Sequence, residues 1–428
     1  AQANAQSAEK AAMAEVQKQQ ALTQEKVNIE QAKSQFEIQR MQTEAQIKRE
    51  LMAEEFNYNI QLAQTQIGAT KAKEQEIEDR KDQRVKLQGD ERRKSQNQAK
   101  KFELPIVIFT EGGGGRPGDT DVLIQIAGLH IPSFSTWAQL TGSSLKIAVN
   151  NGYCFAGNAA LFGCSDFRIA TKTSWIGMAG PAMIEGGGLG IFEPTDIGPV
   201  SVHQKNGVVD YVAENEEEAT LIAKKLLSYF QGSIEDFSVC DQEILQSVMP
   251  EDRRYTYEVR DIINTIADED SFLELRKKYG ESIATGFIRI AGKPFALLAS
   301  DCQKLGGAID SESAEKAADF ISICNDHAMP ILVLADTPGF MVGPASEELG
   351  AVRRMASLFK QGANIKVPLV AVFLRKGYGL GAQALVGGSL HNPVYTAAWP
   401  TGEFGGMGIE GAVKLGYKKE LESIENLD

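Results

Sequence analysis

The chain repeats itself. Pro105 and Pro330 stand 225 positions apart, each leading into an aliphatic run, and Glu111 and Asp336, also 225 apart, close those runs. Residues 156–161 are answered by residues 380–385, a spacing of 224; Trp175 and Trp399 also differ by 224, and Ile184-Glu185-Gly186 and Ile409-Glu410-Gly411 by 225. A register kept across residues 105–186 predicts two lobes of similar fold in one chain. Each lobe sets a Gly-rich backbone turn at the end of a buried strand.

The apolar runs at 105–109, 146–149, 331–335 and 367–373 are short, β-branched and bounded by turn residues, the pattern of strands buried on both faces. Between them lie helical stretches. Residues 214–227 begin acidic and end basic, as the helix dipole favours, and 313–324 is amphipathic at helical spacing. Strand and helix alternate, so each lobe is expected to hold a mostly parallel sheet. Residues 286–299 read as a hairpin opening the second lobe. The stretch 225 positions earlier, 61–74, has no such pattern, so the first lobe is expected to lack its opening.

The first 101 residues are a different polymer. They carry 18 Lys+Arg, 16 Asp+Glu and 19 Gln, and no Pro, Cys, His or Trp, which predicts a long helical or coiled-coil-like segment. The remainder holds 26 basic and 41 acidic residues, a balance that argues against nucleic acid as a partner. The expected division is 1–101 helical, 102–254 first lobe and 255–428 second lobe, the lobes meeting around the polar segment 250–254. The fold class is α/β. Five Cys without CxxC spacing suggest reduced thiols and a cytoplasmic setting, and no apolar run reaches membrane-spanning length.

Consecutive glycines at 112–115 let the backbone approach a ligand and turn several N–H groups toward an anion. No Gly-Lys-Ser/Thr follows, which disfavours a nucleotide loop, and Gly377-Tyr-Gly-Leu-Gly381 lacks the third spaced glycine of a dinucleotide loop. The four His are scattered without metal-ligand spacing, and no Gly-x-Ser-x-Gly elbow occurs. Cys154 has no neighbouring His in sequence and reads as a packed thiol. Glu185, Glu410 and Asp336 recur at echoed positions and read as caps of turns and helices. Backbone amides are therefore the better candidates for catalysis, as a pair of oxyanion holes, and no metal is expected.

Six motifs in residues 102–428 resemble the carboxyltransferase component of biotin-dependent acyl-CoA carboxylases. They are Glu-Gly-Gly-Gly-Gly-Arg-Pro-Gly-Asp (111–119), Cys-Phe-Ala-Gly-Asn (154–158), Gly-Pro-Ala-Met-Ile-Glu-Gly (180–186), Asp-Thr-Pro-Gly-Phe-Met-Val-Gly (336–343), Arg-Lys-Gly-Tyr-Gly-Leu-Gly (375–381) and Trp-Pro-Thr-Gly-Glu-Phe-Gly-Gly (399–406). The resemblance implies two crotonase-like lobes related by internal duplication. It implies carboxyl transfer from N1′ of carboxybiotin to the α-carbon of an acyl-CoA through two enolates, each needing an oxyanion hole. Amides around Gly113, Gly114 and Gly115 would hold the thioester oxygen, and those around Gly379, Leu380 and Gly381 the biotin ureido oxygen. Arg116 would brace the first turn. Turns at Ala156-Gly157 and from Asp336 to Gly339, with Phe340, would shape the walls. Gln383 stands where many propionyl-type relatives carry an acid, which leaves the acyl chain open.

No biotinyl-lysine motif and no ATP-grasp signature are present, so biotin carboxylase and the biotin carboxyl carrier protein or domain are expected as partners. A homo-oligomer with the site between subunits is also implied, as is a first lobe truncated at its start and a second truncated at its end. Three other readings stand beside this one: a biotin-dependent decarboxylase subunit, a hydratase-type crotonase enzyme needing paired carboxylates near the first turn, and a non-catalytic chimera. The last follows from residues 77–84, which resemble the C-terminal helical tail of portal proteins from tailed marine phages, with a join expected near residues 98–103.

Overall fold

The computed structural model describes residues 13–31, separate helical positions from 33 to 54, and residues 91–113 and 131–422. The chain forms two compact units, Ala1–Gln88 and Gly89–Asp428. Of the first, residues 13–31 are helical and exposed throughout. The segment 77–84 lies outside the described residues, as do Gly114, Gly115 and Arg116.

The second unit opens with helical residues 91–102. They pack on the first lobe: Ala99 is buried, the Ser144 hydroxyl donates to the Ala99 carbonyl at 3.1 Å, and Lys100 Nζ donates to Gln139 Oε1 at 3.0 Å.

Four strands make the first sheet: β1 (Ile106–Phe109), β2 (Lys146–Asn150), β4 (Phe167–Thr171) and β6 (Tyr211–Ala213), in the order β1-β2-β4-β6 and all parallel. A two-stranded parallel sheet beside it joins β3 (Tyr153–Phe155) to β5 (Trp175–Gly177). The second lobe holds β7 (Leu273–Leu275), β8 (Ile283–Ile290), β9 (Lys293–Ser300), β10 (Ile331–Thr337), β11 (Leu369–Tyr378), β12 (Tyr395–Ala398) and β13 (Glu403–Gly405). Its sheet runs β12-β11-β10-β9-β8-β7, with β13 also on β11. The expected hairpin is the antiparallel pair β8–β9.

The duplication is visible strand by strand. β1-β2-β4 answers β10-β11-β12, and β3 paired with β5 answers the end of β11 paired with β13. The lobes differ at one edge. β9 covers β10, whereas among the described residues β1 has no strand on its outer side, and Phe109 is 48 % exposed.

One apolar core runs through both lobes. Phe287 of β8 meets Phe167 of β4 edge-on at 5.6 Å and stacks on Tyr229 at 5.4 Å, and Phe320 lies 5.3 Å from it on the other side. Such ring pairs add about 0.5–1.5 kcal/mol each beyond their burial. Tyr229 ends the helix Glu216–Tyr229, whose start is capped by Asn215 Oδ1 accepting the Glu218 amide at 3.0 Å. Phe320 sits on Ser311–Asp326, capped in the same way by Asp310. The first helix lies two residues later than the expected 214–227, and the second extends the expected 313–324 by two residues at each end.

A buried ion cluster ties the lobes at the sheet edges. Asp210, just before β6, accepts from Arg168 Nε at 2.9 Å and from Arg276 Nε, and the Arg276 amide donates to the Asp210 carbonyl at 2.7 Å. Arg276 also pairs with Asp319. Burial pushes the Asp210 carboxyl up, but Arg168 and Arg276 outweigh it and hold it below its ordinary value.

Candidate active site

Each lobe interrupts its central strand pair in the same way. In the first, Phe109 faces Val149, and the next pairing is Gly112 with Cys154. β1 has advanced three residues and its partner strand five. In the second, Ala335 faces Phe373 and the next pairing is Thr337 with Gly377. β10 has advanced two residues and β11 four. Both partner strands thus carry a bulge of two extra residues, which bends them out of the main sheet.

A bulge leaves a backbone N–H without its ladder acceptor, and the acidic residue of the echo supplies one. Glu111 Oε1 accepts the Asn151 amide at 2.6 Å, and Asp336 Oδ1 accepts the Lys376 amide at 3.0 Å. The two donors are again 225 positions apart. Sequence reading missed Asn151 and Lys376, although the echo spacing marks them once the acids are taken as the reference.

Past the bulge, each strand ends in a residue of positive φ and turns into a short helix. Ala156 (φ 55°, ψ −120°) precedes Gly157–Gly163, and Gly379 (φ 60°) begins Gly379–Leu385. The first N–H groups of a helix have no intrahelical acceptor, so each turn presents backbone donors at its tip. Around the first turn, the Gly112 amide donates to the Tyr153 carbonyl at 2.8 Å and Asn158 Nδ2 donates to the Glu111 carbonyl at 3.0 Å. A Cβ on Gly112 would fall 2.7 Å from that Asn158 amide nitrogen. Gly113 is exposed with open space around it, and Ala156 and Gly157 are half-buried.

At the second turn the packing is backbone on backbone. A Cβ on Gly381 would stand 2.6 Å from the Gly339 carbonyl carbon and 2.8 Å from the Phe340 amide. Gly339 is fixed in turn: its carbonyl accepts from Ile309 at 2.9 Å and its amide donates to Thr337 Oγ1 at 3.1 Å. Leu380 is exposed at the tip, Phe340 is half-buried, and Gln383 is exposed one helical turn further on. The structure thus gathers Asp336, Gly339, Phe340, Gly379, Leu380 and Gly381 in one place. Among the described residues, no hydrogen bond or ion pair joins the first turn to the second.

Asp336 lies beneath the second turn. Its side chain is fully buried and carries four partners: the Tyr257 hydroxyl at 2.9 Å, Arg375 Nη2 at 3.0 Å, the Lys376 amide and, at 3.7 Å, Lys376 Nζ. Arg375 also donates to the carbonyls of Arg253 and Tyr255 at 3.0 and 2.8 Å and lies 5.2 Å from the Tyr257 ring centre. The polar segment near 250–254 is thereby pinned to the second turn. Arg253 reaches Glu403 at 3.1 Å and pairs with Glu410, and Glu403 accepts the Tyr378 hydroxyl. Burial and the Glu403 bond push that phenol up to about 12. A cavity of about 760 Å³ opens beside Tyr378, lined by Phe404, Gly405, Gly406, Met407 and Ile409.

Other candidates have structural partners. Cys154 is fully buried, and desolvation pushes its thiol up to about 11. His203 Nε2 contacts the Ile176 carbonyl at 2.6 Å, and His327 Nε2 lies 3.5 Å from Asp166 between the lobes. Among the described residues no cluster of His, Cys, Asp and Glu suits a metal, and no helix is long and apolar enough to cross a membrane.

Known proteins share this arrangement. The chain is 30% identical over 334 residues to the methylmalonyl-CoA carboxyltransferase 12S subunit of Propionibacterium freudenreichii subsp. shermanii, matching 76% of this chain and 63% of that one. It is 30% identical over 345 residues to the propionyl-CoA carboxylase beta chain of Saccharopolyspora erythraea, matching 76% and 62%. The chain therefore spans less than two thirds of these curated relatives. Among solved structures, a single-chain, multi-domain long-chain acyl-CoA carboxylase superposes with a TM-score of 0.74 at 49% identity, covering 77% of this chain and 33% of that one. The transcarboxylase 12S hexamer with methylmalonyl-CoA and methylmalonic acid bound gives 0.70 at 28% identity, covering 79% and 66%. A model of the carboxyl transferase domain matches residues 68–426, and with two crotonase-like lobes repeating one bulge and one amide turn, the chain belongs to the carboxyl transferase domain family.

Proposed function

We propose that this chain is the carboxyltransferase part of a biotin-dependent acyl-CoA carboxylase. The observation that carries the reading is the duplicated amide turn, since a reaction that develops negative charge on two oxygens needs two sets of fixed donors. Donors already in place cost no reorganisation when the charge forms. In the first lobe the amides that follow Ala156, the counterparts of those that follow Gly379, hold the acyl-CoA thioester oxygen, with the Gly112-Gly113 backbone beside them. The amides of Gly379, Leu380 and Gly381 face the second acceptor. Ala156 and Gly157 wall the first site, and Gly339 and Phe340 the second.

Biotin, charged by a biotin carboxylase and delivered on a carrier protein or domain, supplies the CO2 unit when bound. The second turn suits its neutral bicyclic ring: small residues 405–406 and the aromatic side chains of Tyr378 and Phe404 line the adjoining cavity, and the charged groups in its wall, Arg253 and Glu403, are paired with each other. A homo-oligomer that sets the first lobe of one subunit against the second lobe of another brings the two turns together. The hexamer named for the transcarboxylase 12S protein supports that reading. Five free cysteines fit a cytosolic enzyme.

Identity of 49% with a long-chain acyl-CoA carboxylase, against 28% with transcarboxylase 12S, favours a long acyl chain. The test is carboxyl transfer between free biotin and carboxylated acyl-CoA esters of increasing length. A kcat/KM that rises from acetyl- to palmitoyl-chain substrates is expected. Absence of transfer with every ester would overturn the reading, and a preference for propionyl-CoA would overturn the chain-length assignment alone.

A further inference from the structure

We propose that Glu111 and Asp336 are a matched pair of positioning residues, one per lobe, and that neither takes or gives a proton in the reaction. The inference rests on the carboxyltransferase reading for its kinetic arm only.

The geometry is duplicated in every part that bears on this role. Each acid stands at the C-terminal end of the first strand of its lobe's central pair, Glu111 two residues past β1 and Asp336 next to last in β10, at positions 225 apart. Each accepts one backbone N–H from the two-residue bulge in the facing strand, Asn151 in one lobe and Lys376 in the other. That bulge lies two residues before β3 and two before Tyr378, so it aims the segment that carries the turn. Neither carboxylate is placed as a base. Asp336 is fully buried and every lone pair direction is taken by Tyr257, Arg375 and Lys376. Glu111 spends one oxygen on Asn151, whose side chain is held in turn by Thr171 Oγ1 at 2.9 Å and by Glu216 at 3.3 Å.

The lobes differ in rigidity. Asp336 is locked by an ion pair and a phenol below its turn, whereas Glu111 is exposed and holds its bulge through one bond. The acid of the second lobe is fixed from several sides, and that of the first lobe reaches its bulge through the Asn151 amide. A side chain that positions the backbone needs only an acceptor oxygen, so the neutral amide serves. A side chain that moves a proton needs the carboxylate. This contrast separates the two roles.

The experiment uses the full chain with Glu111→Ala, Glu111→Gln and Asp336→Asn, measured by amide hydrogen exchange and by steady-state carboxyl transfer with free biotin. Glu111→Ala is expected to speed exchange in residues 151–156 and raise the acyl-CoA KM, each about tenfold, with the biotin KM unchanged within about twofold. Glu111→Gln restores both to within about threefold of wild type. Asp336→Asn keeps the acceptor for the Lys376 amide but removes the buried anion of Arg375, so exchange in residues 376–381 and the biotin KM rise while the acyl-CoA KM is spared; a kcat lowered by about 100-fold or more would instead mark a proton carrier and overturn the Asp336 half of the proposal. A Glu111→Gln enzyme as inactive as Glu111→Ala, or exchange in 151–156 unmoved by Glu111→Ala, overturns the proposal. A wild type without transfer sinks the functional reading, and the exchange pattern still decides the brace.

Discussion

Ala156 and Gly379 share a positive φ, 55° and 60°, at the junction of strand and helix in the two lobes. Only one of them is a glycine. An L-residue with a Cβ in this region costs about 1–3 kcal/mol. The strain is kept at the turn that the functional reading assigns to the acyl-CoA. Ala156→Gly should therefore stabilise the fold by up to about 1 kcal/mol, net of the glycine's extra chain entropy. Gly379→Ala should destabilise it by a similar amount, since its Cβ would also approach the Gly406 carbonyl oxygen at 3.0 Å. Urea unfolding of both variants checks the opposite signs.

Gly381 makes a sharper prediction. Its missing Cβ leaves room for the backbone of Gly339 and Phe340, and no flexible side chain is there to yield. Gly381→Ala should push the helix Gly379–Leu385 outward and lower carboxyl transfer by about 100-fold, the cost of a misplacement near 1 Å. Gly163→Ala, at a helix end with nothing within 4 Å of the added carbon, should leave transfer unchanged. Parallel kcat measurements of the two variants decide whether the close approach matters.

What the sequence made legible was the start of each repeat unit. β1 and β10 begin at Ile106 and Ile331, in the same 225-residue register as Glu111 and Asp336. Beyond the bulges the register slides. The turn residues Ala156 and Gly379 are 223 apart, and β5 and β13 begin at Trp175 and Glu403, 228 apart. Loop lengths differ between the lobes, so the Trp175–Trp399 echo marks no structural pair: Trp175 opens β5, while the Trp399 amide donates to Phe373 at the end of β12. The shared core was hidden for another reason. Periodicity shows that Phe287 and Phe167 face inward, but not that they face each other across the lobes. Asp336 was visible as an echoed acid. Its partners Tyr257 and Arg375 lie 79 and 39 residues away and follow no periodic rule.

Lys316 predicts an alkaline effect on stability. Its ammonium is almost wholly buried and donates to the carbonyls of Ile283, Arg276 and Gly280 at 2.7, 3.0 and 3.4 Å, with no ion pair among the described residues. Desolvation pushes it down to about 7. The folded value lies below the unfolded one near 10.4, so between the two the unfolded chain binds more protons and stability rises with pH. The slope contributed is at most about 1.4 kcal/mol per pH unit between pH 7 and 10. Unfolding free energies at pH 7, 8 and 9 should climb in the wild type and flatten in Lys316→Gln.

At the acid end the lobe junction should fail first. Asp210 is buried between Arg168 and Arg276, which hold its carboxyl below the ordinary value against the cost of burial. A carboxylate whose folded value is depressed stabilises the fold above its unfolded value, near 3.9, and loses that contribution as pH falls through the folded one. Asp210→Asn leaves Arg168 without its anion and Arg276 with the half-exposed Asp319 alone, and should cost about 3–5 kcal/mol at pH 7. It should also remove part of the steepening of thermal unfolding below pH 4. Pairing it with Arg276→Met takes away one stranded charge and should recover part of the loss, because a buried pair is costly to break and cheap to replace. If Asp210→Asn melts with the same midpoint and pH profile as wild type, the ion cluster at the sheet edges adds nothing to the union of the lobes, which then rests on the shared aromatic core and the contacts around it.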